Sequence, residues 1–219
     1  NLVTGDTNGV MDVFLRDTLA GATILVSLAA SGTQANGGSG GSSISWDGRF
    51  VALTSGASNL VTGDTNGKWD AFRYDMQTGS VERVSVSTAG AQANGHSNWS
   101  VISADGRCVA FTSEATNLGP YEANGGADVF VHDCQTGATD CASVALNGLT
   151  GNHTSNDVSL SADGRFAAFW SGATNLVPNG PAGPGTWVFL RDLIAGTTEL
   201  ISRANDGSIP TSGGCGNPS

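Results

Sequence analysis

Apolar positions along the chain fall into short segments, not long stripes. In the clearest stretch, Val101 to Ser103 and Arg107 to Ser113 flank Ala104-Asp105-Gly106, while Ala71 to Met76 and Val81 to Ser87 flank Gln77-Thr78-Gly79-Ser80. An Asp-Gly pair between two such segments favours a tight hairpin, and a glycine-containing link of four residues favours a second one. No sustained 3.6-residue apolar pattern is present, and the many Gly, Asn and Ser positions weaken any helix. The pattern predicts an all-β chain of short antiparallel strands.

These segments recur. The string Asn-Leu begins at Asn1, Asn59, Asn117 and Asn175, each 58 residues from the last, and Asp-Gly-Arg returns in the same register at Asp47, Asp105 and Asp163. Phe14, Phe72 and Phe130 keep this phase, as do Asp17, Asp75 and Asp133. In the fourth copy the mates are Phe189 and Asp192, so one residue is inserted in the stretch from Pro178 to Gly185. Four antiparallel strands repeating at this length suit one propeller blade, each blade burying an apolar face on the next.

The residues also resemble a family. Ile-Ser-x-Asp-Gly-Arg-Phe-Val-Ala-x-x-Ser, then Asn-Leu-Val-x-Gly-Asp-Thr-Asn-Gly-x-x-Asp-x-Phe, then Thr-Gly and Val-Ser, complete in Ile44 to Ser87, is similar to the TolB-type, WD-like β-propeller repeats of bacterial secreted and periplasmic proteins. The resemblance covers nearly the whole chain and implies one propeller domain over residues 1–219. Its strands a to d run from the blade centre outward. A partial N-terminal blade occupies 1–30, with c at Asp12 to Asp17 and d at Thr23 to Ala29; complete blades lie at about 42–88, 100–146 and 158–204, and a tail at 205–219. The next Asp-Gly turn would fall beyond Ser219, so the inner hairpin of the first blade is missing and the chain reads as a processed or partial product. An edge without its neighbour predicts a homo-oligomer or polymer formed through that blade, because blade faces such as those carrying Phe14 and Phe189 stay uncovered in an unclosed ring.

Charge narrows the partners. Lys and Arg number 9 against 19 Asp and Glu, a net charge of −10 that repels a phosphate backbone, so nucleic acid is excluded as a partner. The longest apolar run, Ile24 to Ala30 with Ser27 inside it, is far too short for a membrane-spanning helix. Long connections rich in Asn, Gly, Ser and Thr, from Gly56 to Lys68 and from Thr88 to Asn98, gather on one face and mark the expected functional surface. Trp69, His96, Trp99 and Tyr121 map on or beside these loops as candidate ligand-binding residues, although tryptophans equally serve to plug blade interfaces.

The same loops carry the candidate metal chemistry. Asp6, Asn8 and Asp12 repeat as Asp64, Asn66 and Asp70 and as Glu122, Asn124 and Asp128, oxygen-bearing side chains at relative positions 1, 3 and 7 around a glycine, like the first half of a calcium loop. The competing reading is side-chain turn chemistry, since Asp and Asn cap turns and Asn-Gly supplies positive φ. Cys134 and Cys141 flank one c–d turn and are expected to form a disulfide, Cys108 to be a buried thiol, and Cys215 to be free or to bridge chains. Gly37-Gly38-Ser39-Gly40-Gly41 matches a nucleophile elbow only formally, in a glycine-serine run whose Ser39 has mates at Ser97 and Ser155. With no catalytic constellation identified, the leading function is a non-catalytic extracellular or periplasmic module for scaffolding, self-assembly or protein interaction. A secreted carbohydrate-binding module stands second, and a propeller hydrolase or lyase third.

Overall fold

The computed structural model describes residues 2–119, 124–182 and 185–209. They form one two-stranded and three four-stranded antiparallel sheets, taken in chain order. The first holds β1 (Phe14–Asp17) and β2 (Ala22–Leu25), the second β3 (Ser39–Ile44), β4 (Phe50–Ser55), β5 (Asp70–Asp75) and β6 (Val81–Arg83). The third holds β7 (Ser97–Ile102), β8 (Cys108–Ser113), β9 (Asp128–Asp133) and β10 (Ala138–Cys141), the fourth β11 (Ser155–Leu160), β12 (Phe166–Ser171), β13 (Trp187–Asp192) and β14 (Thr197–Leu200). Each full sheet is a blade whose strands neighbour one another in sequence order.

The Asp-Gly-Arg turn explains its own recurrence. Ser45 donates its hydroxyl to Asp47 at 2.6 Å, the Arg49 amide donates to the same carboxylate at 3.0 Å, and Gly48 takes a φ of 72° that side chains other than glycine avoid. The arginine then reaches across the blade to the end of strand c: Arg49 meets Asp75 at 2.8 Å, Arg107 meets Asp133 at 2.6 Å and Arg165 meets Asp192 at 2.6 Å. These pairs hold Asp75 and Asp133 well below the usual carboxylate range and Asp192 at about 2. The arginines are nearly half exposed, so the pairs orient the turn more than they stabilise the chain.

The core lies between blades. Val13, Val26 and Ala35 of the first pack with Leu53, Leu60 and Phe72 of the second. Ala52, Ala71 and Ala93 of the second take Val109, Phe111 and Phe130 of the third, and Ala110, Val129 and Ala142 of the third take Phe169, Trp187 and Phe189 of the fourth. Alternation along each strand therefore sorts by size: one face of a blade is small, and the large face of its successor fills it. This direction corrects the expectation for Phe189, which is fully buried against the third blade because the large face looks backward along the chain.

The expected Cys134–Cys141 bridge is absent; Cys108, Cys134 and Cys141 are all free thiols. The hairpin register is the reason. Cys141 pairs with Phe130, four residues before Cys134, and the last pair before the turn is Asp133 with Ala138. Four strand residues span about 13 Å, well beyond the reach of a disulfide. Burial pushes the Cys108 thiol up to about 11 and the Cys141 thiol to about 12, so both remain protonated at neutral pH. Cys215 lies outside the described residues.

Candidate functional site

The long loops are held by asparagines. The Asn36 amide donates to Asn59 Oδ1 at 3.0 Å while Ser58 N–H donates to Asn36 Oδ1 at 2.8 Å, and the same clasp joins Asn94 to Asn117 and Asn152 to Asn175. The recurring Asn-Leu string is thus half of an inter-loop lock. Ser39 has an equally structural place: buried, it donates to Ser55 at 2.8 Å, as Ser155 does to Ser171, while Ser97 and Ser113 share the equivalent bond.

The last of the repeated acidic positions, Asp12, Asp70 and Asp128, has a different counterpart in each copy. In the second, Asp64 and Asp70 are bridged by Gln92 Nε2 at 2.8 and 3.2 Å, and the Arg83 guanidinium stands 3.4 Å from Asp64 and 3.6 Å from Asp70. Asn66 donates to Asp70 and to the Ala93 carbonyl, fastening the loop to the next connection. Arg83 supplies the positive charge that a bound cation would bring. In the first copy Leu25 occupies that position; Asp12 accepts from Ser27 through Oδ1 at 2.5 Å, and its buried Oδ2 has no hydrogen-bond partner among the described residues. Among the described residues no group of three or more His, Cys, Asp or Glu is placed to hold a metal ion. In the third copy Cys141 replaces the arginine, and burial raises Asp128 to about 7 despite the Ser143 hydroxyl at 2.9 Å and the Asn124 amide at 3.4 Å. Glu122 and Tyr121 lie outside the described residues.

The candidate ligand aromatics separate. Trp69 is half-buried on the backbone of Gly56, where a Cβ would sit 3.0 Å from the indole nitrogen, and its amide donates to His96 Nδ1 at 3.1 Å. These two are thus joined by one hydrogen bond between neighbouring blades. Trp99 lies elsewhere, inside inner strand β7 instead of a loop, and is 61% exposed. The inner strands β3, β7 and β11 each carry a bulge, between Gly40 and Ser43, Asn98 and Val101, and Asn156 and Ser159. The repeat-equivalent bulge residues Gly41, Trp99 and Asp157 have φ of 54°, 53° and 49°. The three bulges meet around a cavity of about 310 Å³.

Neither a family model nor a curated protein matches the sequence. Solved structures do match in shape. A TolB candidate from Agrobacterium tumefaciens is similar with a TM-score of 0.54 at 16% identity, over 88% of this chain and 56% of that one. A prolyl endopeptidase structure follows with 0.52 at 14%, over 86% of this chain and 25% of its own. The fold is a TolB-like β-propeller. TolB from Acinetobacter baumannii, at 20% identity and a TM-score of 0.49, aligns over 87% of this chain and 37% of its own, so the chain spans about half or less of each of these proteins. At such identities the likeness speaks for the propeller fold alone.

Within the propeller, the bulge cavity and the internal cation Arg83 are the two features that reading the sequence missed. The bulge leaves only a weak signal, since its three positions carry Gly, Trp and Asp, side chains with no shared chemistry. Arg83 is hidden because its mates are Leu25, Cys141 and Leu200.

Proposed function

We propose that the chain is an exported, non-catalytic propeller module that works by protein contact and assembles with a second copy through β1. The edge of β1 supports this reading. It pairs with β2 on one side and with no strand among the described residues on the other, whereas its repeat mates β5, β9 and β13 each lie between two strands. Beside β1 lies a groove of about 240 Å³ walled by Val13, Phe14, Leu15, Ile44 and Val51, with Arg16, Ser42 and Ser43 among them. Unpaired backbone groups above apolar side chains invite strand addition. The register is already built into the repeat: β4 pairs with β5 from Phe50↔Asp75 to Ser55↔Asp70, and β1 carries Phe14 and Asp17 in the phase of Phe72 and Asp75. In a second copy β4, β8 and β12 are already paired on both sides, so it would meet this edge with its own free β1. Calcium at Asp6, Asn8 and Asp12 would brace the loop that leads into this edge.

Light scattering on the full chain at micromolar concentration, with and without chelator, tests the proposal. The full chain should run as a dimer or larger, and deletion of residues 1–30 should return a monomer that keeps its strand content by circular dichroism. A monomeric full chain, or a deletion variant that keeps the assembly, overturns it.

A further inference from the structure

The cavity at the inner bulges presents an aromatic face and a carboxylate to one space. We propose that it binds a guanidinium or ammonium group presented by a protein partner, held between the Trp99 indole and the Asp157 carboxylate. This rests on the reading of the chain as an interaction module and adds the chemistry of what it recognises.

Three observations carry it. The backbone at Trp99 and Asp157 is left-handed, a conformation that glycine accepts freely and that other residues hold only when their surroundings enforce it. At the third equivalent position, Gly41, a Cβ would lie 2.9 Å from Thr54 Oγ1, a crowding that glycine avoids. The bulge is thus retained in all three blades, and in two of them it lines the cavity with a functional side chain. Secondly, Trp99 is 61% exposed in the middle of an inner strand, whereas Trp187 is 2% exposed and packs in the interblade core, so Trp99 is no interface plug. Thirdly, the Asp157 carboxylate is anchored through Oδ2 by the indole N–H of Trp170, which fixes a negative charge at the rim.

The lining decides between ligand classes. Gly41, Ser42, Ser100, Val101 and Val158 complete the wall with Trp99 and Asp157, and no lysine or arginine contributes. An anion finds no counter-charge, and the chain's net −10 adds to its exclusion. A neutral sugar would stack on the indole face and donate hydroxyls to the carboxylate, but it brings no opposite charge. A cation uses both, since tryptophan is the best of the aromatic faces for a cation and the carboxylate pairs with it directly.

The test is a titration of the full chain with N-acetyl-arginine amide, followed through the indole N–H resonances of Trp99 and Trp170, with N-acetyl-citrulline amide as the uncharged isostere. The arginine amide should shift both resonances saturably at 150 mM salt, and the citrulline amide should not. Asp157→Asn, which suits the left-handed backbone and still accepts the Trp170 bond, should weaken binding at least tenfold. Trp99→Gly, followed at Trp170, should do the same without lowering the melting temperature, because glycine relieves the backbone. Equal shifts with citrulline amide, unchanged affinity in both variants, or saturable binding of a neutral hexaose in place of the amide would each overturn the proposal. A monomeric chain that still binds the arginine amide would remove the assembly through β1 and leave this site standing; an assembled chain that ignores the amide would remove the site alone.

Discussion

At the scale of single residues, the repeat exposes how one position changes character with its counterpart. Asp12, Asp70 and Asp128 all begin or precede strand c and accept from a serine two residues past strand d, yet among the described residues only Asp70 of the three has a guanidinium nearby. Asp128 is buried with Cys141 where Arg83 would be, and burial lifts its carboxyl from 3.8 to about 7. The sign of the consequence follows from proton counting: between these values the native state binds more protons than the unfolded one, so stability is full below about pH 4 and falls as pH rises toward 7. The arginine-paired Asp75, Asp133 and Asp192 work the other way and in a lower window, their stabilisation being lost as acid protonates them below pH 4. Asp128→Asn keeps an acceptor for Ser143 and removes the titration. Urea denaturation at pH 4, 5.5 and 7 should show the wild type losing ground to the variant across this window, at up to roughly 1.4 kcal/mol per pH unit. A constant difference between the two proteins from pH 4 to 7 would show that burial does not govern this carboxyl.

At the scale of elements, the a–b turn does two jobs and its glycine serves both. Gly106 takes a φ of 73°, and a Cβ there would stand 2.2 Å from the Phe50 ring of the preceding blade, a ring that also lies under the Arg49 and Arg73 guanidiniums at 4.6 and 4.5 Å. Gly137, in a c–d turn, has a φ of 75° and open space around its Cβ position. Alanine at Gly137 should cost about 1 kcal/mol of backbone strain, and alanine at Gly106 about 2 to 4 kcal/mol because overpacking adds to the same strain. Denaturation midpoints of the two variants decide it, and equal losses would mean that the interblade contact at Gly106 contributes nothing. The turn, its arginine and the strand-end aspartate were legible in the sequence because each copy repeats the same chemistry in phase. The bulge was not. Its cause is a backbone conformation shared by Gly41, Trp99 and Asp157, and a period search that compares side chains passes over it. The cysteine pair misled for a related reason: flanking a turn ensures proximity only when the two residues also face each other in the register, and Cys141 faces Phe130.

At the scale of the whole molecule, the core consists of three separate clusters, each made by one blade and its successor. Among the described residues no cluster is shared by three blades, so stability is distributed as nearest-neighbour terms along the chain, in the manner of a linear repeat array. Phe189 locates the consequence. It is fully buried in the cluster between the third and fourth blades, stacks on Phe169 with ring centroids 6.0 Å apart, and touches nothing in the cluster between the first and second. Truncating it to alanine removes on the order of 3 to 5 kcal/mol from that one interface. Hydrogen exchange of the variant should therefore show lost protection across β11 to β14, a smaller loss in β7 to β10, and unchanged protection in β3 to β6. The seams argue for this gradient over an all-or-none response, because among the described residues the backbone bonds that cross between blades join neighbouring blades, such as Trp46 N–H to the Ala104 carbonyl at 2.9 Å and Ala104 N–H to the Ala162 carbonyl at 3.0 Å. A uniform loss of protection over all blades would mean that the propeller unfolds as one cooperative body, and the nearest-neighbour account would be wrong.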